Sequence, residues 1–241
     1  MNPFYAPLRK ALDDPRYSAT EKQVITANLE RVRAIPAIPE GKHILVDAAG
    51  ARLWMYDGDK VVDTMKVVVG SQKLGETPMM AGWIRWAIEN PYWEVPNDIT
   101  QKELAPHVLK GGVGYLKAHG YEVLADWSSD SPVLDPKAVD WQAVHDGQRQ
   151  VHVRQLPGGE NFMGKVKFEF PNPQGIYLHD TPAKQLMKED ARQLSHGCIR
   201  MEDAAKMHRW LMGRPIPTDA APEEKVTLDK PVPIYVTYLT A

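Results

Sequence analysis

The sequence predicts a mainly β domain with a few helices on its outside and one irregular insertion. Three observations carry that expectation. Strand-like runs rich in β-branched and aromatic residues dominate the chain order, turn residues punctuate them, and no strand–helix–strand alternation of the Rossmann kind is visible. Hydrophobic residues make up 43% of the 241, enough for an ordinary core and too many for a disordered chain. The length fits one large domain, or a domain with a sizeable insertion.

The elements follow in order. "TEKQVITANLERVRAIP" places Thr20 and Gln23 at capping-box spacing and Ile25, Leu29 and Val32 on one face, with Pro36 as a stop. This predicts a helix over about Glu21–Arg33, within an N-terminal helical segment 1–40. "HILVDAAGARLWMYDGDKVVDTMKVVVG" is broken at Ala49-Gly50 and at Asp57-Gly58-Asp59 and predicts a three-stranded antiparallel meander. "WIRWAIENPYWEVP" predicts a further strand ending at Pro91 or Pro96. From Asn97 to about Gly164 the pattern breaks into short helical pieces, with "KGGVGY" and "DWSSDSPVLDP" between them. Such a segment is expected to form a lid or binding loop and not core sheet. "KVKFEF" alternates, with Val166, Phe168 and Phe170 on one face and charges on the other, and "GIYLHD" predicts the next strand. Thr181-Pro182 predicts a short helix to about Gln193. "MEDAAKMHRWLM" predicts a second helix, stopped by Gly213 and Pro215, and "PVPIYVTYLT" a final strand.

Composition excludes several function classes. The formal net charge is −2 and no long Lys/Arg run exists, so neither nucleic acid nor a membrane surface is an expected partner. A single Cys forbids an internal disulfide and any Cys-based zinc spacing. No run of about 18 apolar residues predicts a transmembrane segment. "MNPFYAPLRKALDDPRYSATEK" lacks an apolar h-region. The expectation is therefore an intracellular protein or a trimmed form of an exported one.

Some motifs lead nowhere. "GENFMGKV", Gly159–Val166, matches a phosphate-binding loop up to its last position. Val166 stands where a magnesium-ligating hydroxyl would be needed, and the segment leads into a strand, so no helix N-terminus awaits a phosphate. The eight His show no HExxH, and His107, His119, His145 and His152 share no ligating spacing, so no metal is expected. Of the seven Trp most are expected in cores, although Trp83, Trp86 and Trp93 could line a groove.

"QLSHGCIRMED" holds Cys198. A lone Cys is most often a buried, inert residue. Here Gly197 permits a tight turn, a helix is expected just after Cys198, and Arg200 adds positive charge, so the thiol is expected to be accessible and unusually acidic. The backbone N–H groups of His196, Gly197 and Cys198 are candidates for an oxyanion site. A thiol needs a base partner, and His179, at a strand end, is the candidate. His196, in the bend itself, is expected mainly to build the turn, with the reverse assignment of the two histidines as the alternative.

"YLHD", a spacer, then "SHGCIR" resembles the signature of the L,D-transpeptidase (YkuD-type) catalytic domain: a His, a spacer, then Ser/Thr-His-Gly-Cys. Here fifteen residues separate His179 from Ser195-His196-Gly197-Cys198. "ANLERVR", "VVVG" followed by "ETP", "NPYWEVP", "GKVKFEFPNPQGIYLHDTP" and "SHGCIRMED" also resemble the larger, lid-bearing branch of that family, so the resemblance spans roughly Val24 to Met212. Arg200 stands where many relatives carry Asn. Asp180 replaces a Gly or Ser whose backbone carbonyl orients the His, a role Asp180 can also fill.

The resemblance implies a β-sandwich or mixed-sheet catalytic domain over 41–241 with an inserted lid at about 97–164. It implies Cys198, His179, His196 and Gly197 as catalytic residues, and Arg200, Ser195, Tyr177, Trp93 and Asp180 as substrate-binding residues. The implied partners are peptidoglycan stem peptides, with carbapenem β-lactams as inhibitors, in the periplasm or cell wall. The implied reaction is attack by Cys198 at the L-centre carbonyl of the third stem residue, release of the terminal D-Ala, and resolution of the thioester by an amine, with no metal or organic cofactor. A hydrolase using the same site, and a catalytically silent wall-binding module, are the competing readings.

Overall fold

In the computed structural model, which describes residues 4–35, 41–128 and 130–239, the strands are β1 (Lys42–Asp47), β2 (Arg52–Asp57), β3 (Lys60–Gly70), β4 (Met80–Glu89), β5 (Trp93–Val95), β6 (Tyr121–Leu124), β7 (Val133–Leu134), β8 (His152–Gln155), β9 (Val166–Glu169), β10 (Tyr177–His179), β11 (Gln193–Ser195), β12 (Ile199–Met201) and β13 (Glu224–Thr237). Nine of them form one sheet in the order β11-β3-β12-β10-β9-β4-β13-β1-β2, and β2 pairs again with β3. The sheet thus closes on itself, which removes most of the exposed edge that an open sheet would present. Inside lies the main apolar core, including Ile44, Leu53, Val67, Ile84, Phe168, Leu178, Ile199, Met201 and Ile234.

The meander predicted for 43–70 forms as β1, β2 and β3. Asp47 caps its first turn by accepting from the N–H groups of Ala49 (3.1 Å) and Gly50 (3.2 Å). The sheet is mixed. β1 runs parallel to β13, β10 to β12, and β11 to β3. These pairings join distant parts of the chain, so local alternation does not reveal them.

Two helices, α1 (Tyr5–Asp13) and α2 (Ala19–Arg33), precede the sheet, and α2 buries Ile25, Leu29 and Val32 as expected. Its capping box is formed by Ser18 and Glu21, not by Thr20 and Gln23. Pro36, expected as its stop, lies outside the described residues. The helix predicted from Thr181 to Gln193 is only a 3₁₀ turn, Lys184–Lys188, and the chain then enters β11. Lys167, expected on a charged outer face, is buried because Glu223 (2.7 Å) and Glu169 (3.4 Å) pair with its ammonium.

Between β5 and β9 the chain builds a second sheet, β5-β8-β6-β7. It also builds short helices: α3 (Asn97–Ile99), a π-helical turn Thr100–Leu104, α4 (Ala105–Gly111), α5 (Gly114–Ala118) and α6 (Trp141–His145). Trp93, Leu104, Val108, Leu116, Trp141, Val144 and Val153 form a separate apolar cluster there. The last helix, α7 (Ala204–Met212), ends at Gly213 in the left-handed region, φ 71°, as the sequence predicts. It is fastened to β4 by buried Glu89, whose Oε1 lies 2.7 Å from His208 Nε2 and 2.6 Å from Arg214 Nη2.

Phe168, fully buried between the strands, is expected to be a main contributor to core stability. Phe168→Ala should cost about 3–5 kcal/mol, read as a lowered urea midpoint at unchanged slope.

Candidate active site

Residues Ser195 to Cys198 form the bend between β11 and β12, and the bend is held from both sides. The Ser195 hydroxyl donates to the Cys198 carbonyl at 2.6 Å and accepts from the Gly197 N–H at 3.2 Å. Gly197 has φ +115°, and a Cβ there would stand 2.9 Å from Ile176 Cδ1. Glycine is therefore needed both for conformation and for space. From the far side, the fully buried Thr77 hydroxyl donates to the Gly197 carbonyl at 2.6 Å and accepts from the Gly70 N–H at 2.8 Å. Gly70 admits this clasp because any Cβ would lie 2.1 Å from the Gly75 carbonyl oxygen. The "VVVG" and "ETP" stretches are thus parts of one support for the bend, and Thr77 was not singled out from the sequence.

The register sets the rest. β10 and β12 are parallel, with Leu178 opposite Ile199 and His179 opposite Arg200. Leu178 and Ile199 are fully buried in the core. Strand alternation therefore sends Tyr177, His179, Cys198 and Arg200 to the other face. Cys198 is partly exposed at its surface yet packed on most sides. Its Sγ lies 3.8 Å from the Gly175 carbonyl, and the Tyr177 backbone N–H points at the sulfur. His179 is 2% exposed, and its Nδ1 lies 2.5 Å from the Asp180 carbonyl oxygen. A carbonyl can only accept, so Nδ1 carries the proton and Nε2 keeps its lone pair.

The electrostatics differ from the expected acidic thiol. No helix starts at Cys198, because β12 follows it directly and α7 begins only at Ala204, capped by Asp203. Burial pushes the Cys198 thiol above its ordinary value, and the Tyr177 N–H and the Arg200 charge only partly oppose it. Burial, with Arg200 adding to it, pushes His179 down to about 3 against the pull of the Asp180 carbonyl. Both groups are therefore neutral at rest, a thiol and an imidazole on one face of the β10–β12 pair, and not a thiolate and an imidazolium.

The other candidates fall in distinct places. The His196 ring turns to Glu103 in the π-helical turn, with Nε2 3.7 Å from Oε1. Burial lowers the Arg200 guanidinium from its ordinary value, and an ionised Cys198 or Glu103 would oppose that. The Tyr177 side chain packs on the apolar cluster of the second sheet. Ser195 and Asp180 spend their side chains on structure: Asp180 pairs with Lys184 (2.7 Å) and accepts from the Lys165 N–H (3.0 Å). The Gly197 N–H is taken by Ser195, so of the three expected oxyanion donors it is not free. Trp83, Trp86 and Trp93 line no common groove. Trp83 is exposed, Trp86 donates to Glu169 at 2.6 Å, and Trp93 is buried beside Phe162 at a centroid distance of 4.6 Å. Residues 159–166 enter β9 with Asn161 buried against the carbonyls of Pro91, Gln155 and Leu156. Among the described residues no cluster of His, Cys, Asp or Glu is arranged to hold a metal, and no helix is long and apolar enough to cross a membrane.

Residues 41–234 match the family model for the L,D-transpeptidase catalytic domain (YkuD), and the chain belongs to that family. It is 30% identical over 228 residues to a Haemophilus influenzae protein provisionally named an L,D-transpeptidase, covering 91% of this chain and 45% of that protein. The chain thus spans less than half the length of this curated relative. Among solved structures, the Ldtfm–avibactam carbamoyl enzyme is 14% identical, with TM-score 0.42, 82% of this chain and 49% of that one covered. The Enterococcus faecium L,D-transpeptidase catalytic domain acylated by ertapenem is 15% identical, with TM-score 0.40, 82% of this chain and 98% of that one. These overlays are distant, and the family assignment rests on the sequence match.

Two measurements check the electrostatics. Iodoacetamide alkylation of the native protein should titrate above the ordinary free-thiol value of about 8.5, and Arg200→Gln should move it higher still. The second concerns acid. The folded-state value of His179 is about 3, whereas an unfolded His titrates near 6.5. The unfolded chain therefore takes up the proton first, and the stabilisation present above pH about 6.5 is lost as pH falls towards about 3. Urea midpoints should decline over that window, and less steeply in His179→Gln.

Proposed function

We propose that this chain catalyses L,D-transpeptidation of peptidoglycan stem peptides through a thioester on Cys198. One observation carries the reading. A neutral Cys198 and a neutral His179 share one face of the β10–β12 pair, with His179 Nδ1 committed to the Asp180 carbonyl and Nε2 unspent.

With both groups neutral, deprotonation accompanies attack. His179 Nε2 takes the thiol proton as sulfur bonds to the carbonyl carbon on the L-centre of the third stem residue. His179 then gives that proton to the amine of the terminal D-Ala as the carbon–nitrogen bond breaks, leaving a thioester. An amine from a neighbouring stem attacks the thioester, its proton passes to His179, and the carbon–sulfur bond breaks to restore the thiol. The backbone N–H groups of His196 and Cys198 are the donors we assign to the tetrahedral oxyanion. Arg200 supplies positive charge beside the sulfur. Gly197 and Ser195 shape the bend, and Asp180 orients His179 through its carbonyl. His196 builds the bend and faces Glu103, which favours His179 as the base. No metal or organic cofactor enters, because the thioester retains the acyl group's reactivity. Residues 97–164 act as a lid above this face, with Tyr177 as the contact point. The reaction belongs in the periplasm or at the cell wall, and carbapenems are expected to acylate Cys198.

Incubation with disaccharide-tetrapeptide followed by mass spectrometry should yield cross-linked dimer. Trimmed tripeptide alone would make the protein a hydrolase, and no product would make it a wall-binding module. His179→Ala should lower acylation by roughly 10² or more. A carbapenem adduct should be lost in Cys198→Ala. Normal acylation in His179→Ala together with loss in a folded His196→Ala would reverse the roles of the two histidines.

A further inference from the structure

Glu103, which approaches the bend at His196, also lines a cavity of about 270 Å³ together with Trp93, Tyr115, Tyr121, Glu160 and Phe162; Cys198, His179 and His196 are not part of its lining. We propose that this cavity receives the ammonium group of the amine acceptor, and that Glu103 is the residue that selects it. The proposal rests on the transpeptidase reading above.

Glu103 sits in the π-helical turn, a geometry that recurs at functional sites. Its carboxylate makes no hydrogen bond among the described residues. Its one ion-pair partner among the described residues is the His196 ring, at 3.7 Å and charged only when protonated, and the Glu103 side chain keeps 59% of its surface exposed. Glu103 lines the cavity and approaches His196 of the bend, and it acts electrostatically on both Arg200 and Tyr121. It is an anion left available at the junction of cavity and catalytic bend.

The rest of the lining suits the same guest. Trp93 and Phe162 pack at 4.6 Å, and Tyr115 stacks on His107 at 4.9 Å with planes 6° apart. Aromatic faces attract a cation. The Tyr121 hydroxyl has no hydrogen-bond partner among the described residues, and burial pushes its pKa up to about 12, so it stays protonated at neutral pH. Glu160, paired with His119 at 3.2 Å, adds a second carboxylate. Two carboxylates would repel a carboxylate or phosphate. The volume suits an aminoalkyl side chain and is too small for a sugar pair. An ammonium held at the Glu103 end of this cavity would give one proton to the Glu103 carboxylate; the neutral amine so formed would attack the thioester ahead of water, its excess proton passing to His179 as the carbon–sulfur bond breaks.

The test has two arms. In the first, wild type is titrated with a stem tripeptide ending in meso-diaminopimelate, and separately with the same peptide acetylated on its side-chain amine. Binding is followed by NMR at the Trp93 indole and the backbone amides around Glu103. The free amine should bind about tenfold more tightly than the acetylated form. Glu103→Gln should erase the difference, Glu103→Asp should recover part of it, and backbone spectra will establish that each variant is folded. In the second arm, the ratio of cross-linked dimer to hydrolysed tripeptide is measured in a single reaction with disaccharide-tetrapeptide. This ratio does not depend on how fast the acyl-enzyme forms. It should fall about tenfold in Glu103→Gln at low acceptor concentration and recover as acceptor is raised. Equal binding of the two peptides to wild type, or a preference that persists in both Glu103→Gln and Glu160→Gln, would overturn the assignment. If wild type makes no product while the amine preference holds and depends on Glu103, the transpeptidase reading fails and the cavity assignment stands.

Discussion

The bend that carries Cys198 depends on the hydrogen bond from the Thr77 hydroxyl to the Gly197 carbonyl. That single bond ties the loop after β3 to the crossover between β11 and β12. Thr77 is itself held by the Gly70 N–H at its hydroxyl, and the Tyr238 hydroxyl donates to its backbone carbonyl at 2.5 Å, so three stretches of chain converge on one buried residue. Gly70 and Gly197 are required because any side chain would occupy the space this convergence uses. With the bend fixed, the parallel pairing of β10 with β12 brings His179 to the face of Cys198. A shift of one residue in that register would turn one of the two into the core.

Burial governs the chemistry as firmly as the register governs the geometry. It disfavours the charged form of both Cys198 and His179, and it outweighs the opposing effects of Arg200 on the thiol and of the Asp180 carbonyl on the imidazole. Under the proposed reaction, such a site keeps the Cys198 thiol protonated until substrate arrives. It gains a thiol less exposed to adventitious oxidation, and it loses the head start of a preformed thiolate. On this reading the acidic thiol that a helix N-terminus would have created is replaced by a concerted proton transfer.

The segment between β5 and β9 is more than a loop. It has its own small sheet and its own apolar cluster, and it meets the catalytic face through Tyr177 and through the approach of Glu103 to His196. A body with its own core can keep its shape while it covers a site, which a structureless insertion of this length could not do. Its π-helical turn places a carboxylate beside the positively charged Arg200, so the second half of the proposed reaction has a negatively charged wall.

Much of this was legible along the chain. The strands over 43–70, the helix bearing Ile25, Leu29 and Val32, the irregularity of 97–164, the stop at Gly213 and the His179–Cys198 spacing are properties of local pattern, which a sequence displays directly. The sequence by itself thus determined the family, the class of fold and the pair of residues proposed for catalysis, because alternation, turn chemistry and a spaced motif are local or nearly so. Tertiary structure alone decided the parallel pairings, the closure of the sheet through β2 and β3, the burial of Lys167 between Glu169 and Glu223, and the role of Thr77. It also decided the charge state of the site. Whether a thiol is acidic depends on what surrounds it, and here β12 replaced the expected helix while packing around Cys198 disfavours the thiolate. Those outcomes come from contacts between residues far apart in the chain, whose partners no local pattern names.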